Sequence, residues 1–424
     1  MAKIYHSEIF GLREAKYDWL NKHDIKNIKW KKIFPYSEFY FFIPTDNKLA
    51  SHYYSFYKIT EIFPVNSVGI VTARDSFTIA WTKKEIWDRV KNFTKLDTEL
   101  ARQTYKLGND ARDWKVEFAQ KDLKDSGLDY DKVIPIHYRP FDIRWTYYTG
   151  HSRGFHCMPR GEVMDNMLAE NIALITSRMT KGETFHHAQV TNKITEVICM
   201  SPKTSNNGFV FPLYLYPGKK EKKKPISVQM VMFEPEMKYQ VRQPNLNSEL
   251  VEELRRNFNK GISPEEIFYY VYAILYSKIY RTKYSEFLKR DFPRIPFTKS
   301  YKLFTQFGKL GKELADLHLL ESSELDETIS AMRVRGTNKV EKLNYENEKV
   351  WINKEQYFDS VKEEVWKYQI GGYQVCEKWL KDRKGRTLLL DEIKTYCKIV
   401  TALSQTIELQ SEIDKYYEEV EKSM

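Results

Sequence analysis

The chain has 424 residues, 42% of them hydrophobic and 15% aromatic, enough apolar material for two domains or three small ones. It has no run near the roughly eighteen apolar residues of a membrane span, and Met1-Ala2-Lys3-Ile4-Tyr5-His6 lacks the apolar stretch of a secretory signal, so a cytoplasmic protein without a membrane partner is expected. The net charge of +10 is uneven: 37 Lys and Arg stand against 28 Asp and Glu through Gln240, and 31 against 30 beyond it, so a polyanion would be drawn to the first part.

In chain order, the first half reads as mixed α and β. Strands are expected at residues 68–73, 171–177, 196–200 and 208–216, where β-branched and aromatic runs are bounded by Gly, Pro and Asn. Residues 82–95 carry Ile86, Val90 and Phe93 at helical spacing, and 162–169 reads as a short helix. The run Lys219-Lys220-Glu221-Lys222-Lys223-Lys224 reads as a solvated loop. The second half is mainly helical. Ser263 and Pro264 open a helix whose Glu265 and Glu266 suit its positive end. A break at 291–296 follows, then helices at 304–319, 354–368 and 390–421, with 333–349 as a polar connection or small hairpin. The expected fold is α+β: a junction at 1–30, a basic α/β domain at 31–245 and a mainly helical domain at 246–424.

Catalytic patterns are missing. There is no glycine-rich turn with an NPPY-like loop for amino-methylation, no P-loop and no GxSxG elbow. Asp391 with Glu392-Ile393-Lys394 matches the letters of a nuclease centre, but such triplets arise often on an amphipathic helix. Cys157, Cys199, Cys376 and Cys397 form no CxxC pair, and neither His156 beside Cys157 nor the pair His186-His187 makes a metal set, so no metal is expected.

Binding chemistry is better represented. Residues 138–148, YRPFDIRWTYY, set Arg139 and Arg144 among five aromatic rings. Next come His151, Arg153 and Arg160 in glycine-flanked loops, then Arg178 and Lys181 after one expected strand and Lys203, Asn206 and Asn207 after the next; Arg74 stands in a weaker third loop. Arginine matches the O6 and N7 of guanine with two parallel hydrogen bonds, asparagine reads adenine, and lysine suits phosphate. Each has a plain alternative: Arg139 and Arg144 pairing with acids such as Asp142 inside a core, and the Asn pair holding a turn.

The segment YRPFDIRWTYY (138–148) resembles the signature of type ISP and related type II restriction–modification proteins. So do MPRGEVM (158–164), NIALITSRMTKGE (171–183), SPKTSNNGFVFPLYLYP (201–217), FLKRDFPRIPF (287–297), VWINKEQYF (350–358) and YQIGGYQVCEKWLKDRKGR (368–386), an ordered series over nearly the whole chain. The resemblance implies a target recognition domain that binds double-stranded DNA beside an adenine-N6 methyltransferase domain of the same polypeptide. S-adenosylmethionine, magnesium and ATP would then belong to domains outside this chain, and no cofactor is expected within it. A docking module and a cryptic metal-dependent nuclease are the alternative readings, with RNA binding weaker for want of an RNP-like strand.

Overall fold

Short β-branched and aromatic runs between residues 58 and 217 pair into two four-stranded sheets in the computed structural model, which describes residues 3–35, 40, 42–44, 47–111, 113–217 and 242–424. The lysine run at 219–224 lies outside the described residues. The chain divides into two units, Met1–Tyr57 and Lys58–Met424. In the first, β1 (Ile4–His6) pairs antiparallel with β2 (Lys31–Ile33), and α1 (Arg13–Lys22) stands between them in sequence with no buried residue.

In the second unit the strands of the two four-stranded sheets are β3 (Ser67–Val68), β4 (Ile79–Ala80), β5 (Val133–Arg139), β6 (Asp142–Tyr147), β7 (Ala173–Ser177), β8 (Ala188–Thr191), β9 (Ile194–Thr195) and β10 (Gly208–Pro212). One sheet has the order β9-β5-β6-β4, with β9 parallel to β5 and the other pairs antiparallel. The other sheet, β3-β10-β7-β8, is antiparallel throughout. Residues 67–71 serve both: Val68 pairs with Phe209, while Ile70 bridges Glu196 beside the first sheet. Gly69 makes the crossing feasible, because a Cβ there would stand 2.7 Å from the Glu196 carbonyl. The expected strand at 68–73 is thus broken into two short pairings and ends at Ala73, whose φ is +61°. At 196–200 the expected strand is replaced by a turn, held by the Glu196 carboxylate accepting from the Ile198 amide.

Two helices pack on this part: α2 (Lys83–Phe93), capped by Thr82, and α3 (Val116–Asp125). Their buried Ile86, Val90, Phe93 and Leu123 join Phe77, Trp114, Tyr147 and Phe155 in one core.

Beyond residue 245 the chain is mainly helical, as expected. In α4 (Pro264–Tyr276), Ser263 accepts from the Glu266 amide while the Glu266 side chain accepts from the Ser263 amide, and the helix is buried on nearly every side. It crosses α5 (Tyr301–His318) so closely that a Cβ on Gly311 would lie 1.8 Å from the Tyr269 carbonyl oxygen. The last helix, α6 (Leu390–Lys422), has 33 residues and buries Tyr396, Val400, Leu403, Ile413 and Tyr417. The helix expected over 354–368 does not form. Strand Tyr357–Phe358 pairs there with Lys349–Trp351, followed by the single turn Glu363–Trp366, because Val350 and Phe358 bury across from each other. The segment 333–349 contains the hairpin: Asn344–Glu346 meets Lys349–Trp351 across Asn347 and Glu348, both at positive φ as a tight hairpin turn requires. A second core runs from Ile175 and Val210 in the sheet to Leu317, Val350, Trp379, Ile399 and Leu403, so it is continuous across residue 245.

Candidate nucleic-acid interface

The first loop cluster hangs on an acid that faces inward. Asp122, on the face of α3 that also buries Ala119 and Leu123, accepts from the Phe155 amide at 2.8 Å, the Thr149 hydroxyl at 2.8 Å and His151 Nδ1 at 2.9 Å. Gly154 lies against it: a Cβ there would stand 2.1 Å from Asp122 Oδ2. This fixes residues 149–155 as a compact loop with His151 exposed at its rim.

Arg153 and Arg160 both have left-handed backbones, φ +59° and +56°, which L-residues adopt at a cost of about 1–2 kcal/mol. Arg153 is exposed, and its amide donates to the Cys157 carbonyl at 2.8 Å. Arg160 is half-buried; its Nη2 lies 3.4 Å from the Met158 sulfur, and its buried Nε has no hydrogen-bond partner. Arg74 donates to the carbonyls of Ala73, Leu107 and Asn109 and lies over the Trp114 ring at 4.8 Å. All three guanidinium groups act on the Cys157 thiol, pulling its pKa down while burial, the larger effect, pushes it up. Among the described residues, no acid stands within ion-pair distance of any of the three. Asp113 acts on the same thiol in the opposite sense, so the three arginines outnumber the acid beside them.

The second cluster is tied by Glu183. Its carboxylate accepts from Ser201 at 3.0 Å, from Asn206 Nδ2 at 2.6 Å and from His187 Nε2 at 3.0 Å, and these bonds overcome burial to bring its pKa down to about 2. Asn206 Oδ1 in turn accepts from the Lys181 amide at 2.9 Å, and Lys203 Nζ donates to the Gly182 carbonyl at 2.8 Å. Both loops at the end of β7 and the start of β10 therefore move as one piece. Arg178 is exposed, 3.4 Å from Asp291; Lys181 is exposed and Asn207 half-buried. Gly371 and Gly372 brace this cluster from the helical part, their amides donating to the carbonyls of His186 and Met200. At Gly371 a Cβ would fall 1.7 Å from the Met200 carbonyl oxygen.

Three expected readers are committed elsewhere. Arg139 is 5% exposed, with Nη1 2.6 Å from Glu196 and the guanidinium 3.8 Å over Tyr138. Burial pushes Glu196 up to about 7 against the pull of Arg139. Arg144 sits between Trp81 at 3.9 Å and Tyr138 at 4.0 Å and pairs with Asp142 at 2.7 Å. Asp142, 1% exposed, also holds Arg383 at 2.9 Å, and Arg383 and Arg386 share Glu392. This network, with Trp81 under Arg144, Arg383 and Arg386, joins β6 to the start of α6. Asn206 is buried within the Glu183 tie, so its amide is fully occupied by protein. In this conformation Arg139, Arg144 and Asn206 thus present no free edge to a duplex. Glu392 caps α6 and pairs with arginines, so the Asp391–Lys394 triplet is a helix start. The four cysteines are buried.

Sequence reading passed over Asp122, Glu183 and the Gly371-Gly372 pair. Asp122 carried a signal: an acid on the apolar stripe of an amphipathic helix is placed there by its hydrogen bonds.

The fold is shared with solved proteins. The structure described as a cryoEM DrdV–DNA complex matches at TM-score 0.69 with 19% identity, over 97% of this chain and 43% of that one. A nuclease-deletion mutant of the Type ISP restriction-modification enzyme LlaGI with a DNA substrate mimic matches at 0.64 and 19%, over 97% and 33%. The ATP-dependent Type ISP restriction-modification enzyme LlaBIII bound to DNA matches at 0.64 and 18%, over 91% and 25%. The chain spans less than half the length of each of these proteins. No curated protein sequence matches it. The model of the Type ISP C-terminal specificity domain matches residues 61–412, and the chain belongs to that family.

Proposed function

We propose that this chain reads a sequence in double-stranded DNA for a restriction–modification enzyme and presents the target adenine to a methyltransferase domain of the same polypeptide. The observation that carries this is the pair Arg153 and Arg160, in no ion pair among the described residues, on a loop pinned by Asp122 and at a short helix start, with Arg74 tied to backbone carbonyls beside them. A groove reader needs donor edges presented from a fixed backbone; the Arg153 amide is bonded while its side chain is exposed, and Arg160 stands half-buried at a helix start. His151, Arg178, Lys181, Lys203 and Asn207 are the further contacts we assign to phosphate and base edges; Asn206 ties the loops of the second cluster, while Arg139 and Arg144 hold the sheet beneath. Methylation at adenine N6 requires the base to leave the stack, so the duplex must be gripped on both sides of it. Within this division, residues 31–245 carry the reading surface and 246–424 support it, while S-adenosylmethionine, magnesium and ATP serve other domains. The work belongs in the cytoplasm, where the duplex is.

Selection of bound duplexes from a randomised pool at two salt concentrations tests the proposal. An enriched word of several base pairs supports it. Binding that vanishes with salt and enriches nothing rejects sequence reading, and no retention at low salt rejects DNA binding altogether.

A further inference from the structure

Behind the 178–187 loop lies a cavity of about 500 Å³, a volume typical of small-molecule sites. Its walls come from that loop, from helix Lys278–Lys283, from residues 364–369 and from α6 at Ile407 and Gln410. Its charge is unbalanced. Arg281, 8% exposed, donates through Nε to the Leu275 carbonyl at 2.6 Å, but its buried Nη2 has no hydrogen-bond partner. Its guanidinium is held 4.6 Å over the Tyr276 ring and is engaged by the Tyr276 and Tyr368 hydroxyls, and no acid stands within ion-pair distance among the described residues. Lys278 is exposed at the rim and also lacks an acidic partner, whereas Lys367 already pairs with Glu363 at 2.5 Å. Glu364 is the one acid of the wall among the described residues. Tyr368, half-buried, supplies planar surface, and Phe185, 2% exposed, lies behind it.

A buried guanidinium with an unmade bond is costly, and the ligand that best satisfies it is an oxyanion, which accepts two parallel N–H bonds. Aromatic walls and this volume leave room for a planar group behind the anion. We propose that the cavity binds a phosphate monoester of mononucleotide size, its phosphate on Arg281 and Lys278 and its planar body against Tyr368. This site stands apart from the arginine cluster and does not rest on its role.

Isothermal titration calorimetry of the full chain with adenosine 5′-monophosphate, inorganic phosphate and adenosine tests the assignment. Saturable binding of the monophosphate is expected, weaker binding of inorganic phosphate, and none of adenosine. Arg281→Lys, which keeps charge but loses the fork, is expected to weaken the monophosphate about tenfold or more. Lys278→Ala, at an exposed position that leaves folding alone, is expected to weaken it by about fivefold. Absence of saturable monophosphate binding, equal binding of adenosine, or an affinity that Lys278→Ala leaves unchanged overturns the site. A bound duplex distinguishes the source of the phosphate. Simultaneous binding supports a free mononucleotide in the site, and displacement by the duplex, whose phosphates are diesters, overturns the monoester assignment.

Discussion

Arg153→Gly and Arg160→Gly separate reading from folding. Both residues hold left-handed backbones at +59° and +56°, and neither guanidinium has an acidic partner among the described residues. Glycine relieves about 1–2 kcal/mol of backbone strain at such a position and costs about 0.5–1 kcal/mol in unfolded-chain entropy. Each variant should therefore unfold within about 1 kcal/mol of the parent in urea, on the stable side. Duplex affinity should move the other way. If the arginine reads a guanine bidentately, its loss costs about 1–3 kcal/mol, roughly 5- to 150-fold, and relaxes preference at one base pair only. Fluorescence anisotropy with the selected word and its single-base variants at fixed salt gives both numbers. Parent affinity and parent base preference in both variants would refute the assignment. Loss of binding accompanied by a large loss of stability would show that these loops are structural instead.

Other perturbations should separate the internal networks from the surface. Asp142→Ala leaves Arg144 and Arg383 buried without their shared carboxylate and should cost about 3–5 kcal/mol in urea unfolding. Glu183 is held near pKa 2 in the folded chain, below its ordinary 4.5, so its contribution is complete above about pH 4.5 and fades as pH falls toward 2. Glu183→Gln should flatten the pH dependence of the unfolding midpoint across that window, and an unchanged slope would show that the carboxylate does not tie the loops. Lys181→Ala should lower the salt slope of duplex binding by about one ion while weakening all sequences alike; a shift in base preference would make Lys181 a reader of bases.

What the sequence disclosed follows from physical range. Periodic segments were legible, because Ile86, Val90 and Phe93 or the Ser263–Glu266 capping box act within a few residues. Residues 354–368 misled because burial of Phe358 against Val350 outweighed local helix preference. Within the candidate site Arg153, read in a glycine-flanked loop, and Arg178 and Lys181, read after an expected strand, are exposed. The pairing of Arg144 with Asp142 was the alternative that the sequence offered, since the two stand only two positions apart, whereas the partner of Arg139, Glu196, lies 57 positions away and was illegible. Asn206 likewise depends on Glu183, 23 positions distant, which nothing local announces.

The core that runs uninterrupted from Ile175 and Val210 to Trp379 and Leu403 limits how this chain could acquire a new specificity. A recombination joint near residue 245 would bring together two half-surfaces never selected to interdigitate, and would part Asp142 from Arg383 and Gly371 from Met200. Grafting the first part of a relative is therefore a poor route to a new recognition word. Exchange of the entire 58–424 unit, or stepwise change at loop tips such as 151–153 and 178–182, leaves the seam intact. Diversity among such proteins would then accumulate at the tips while the seam changes slowly.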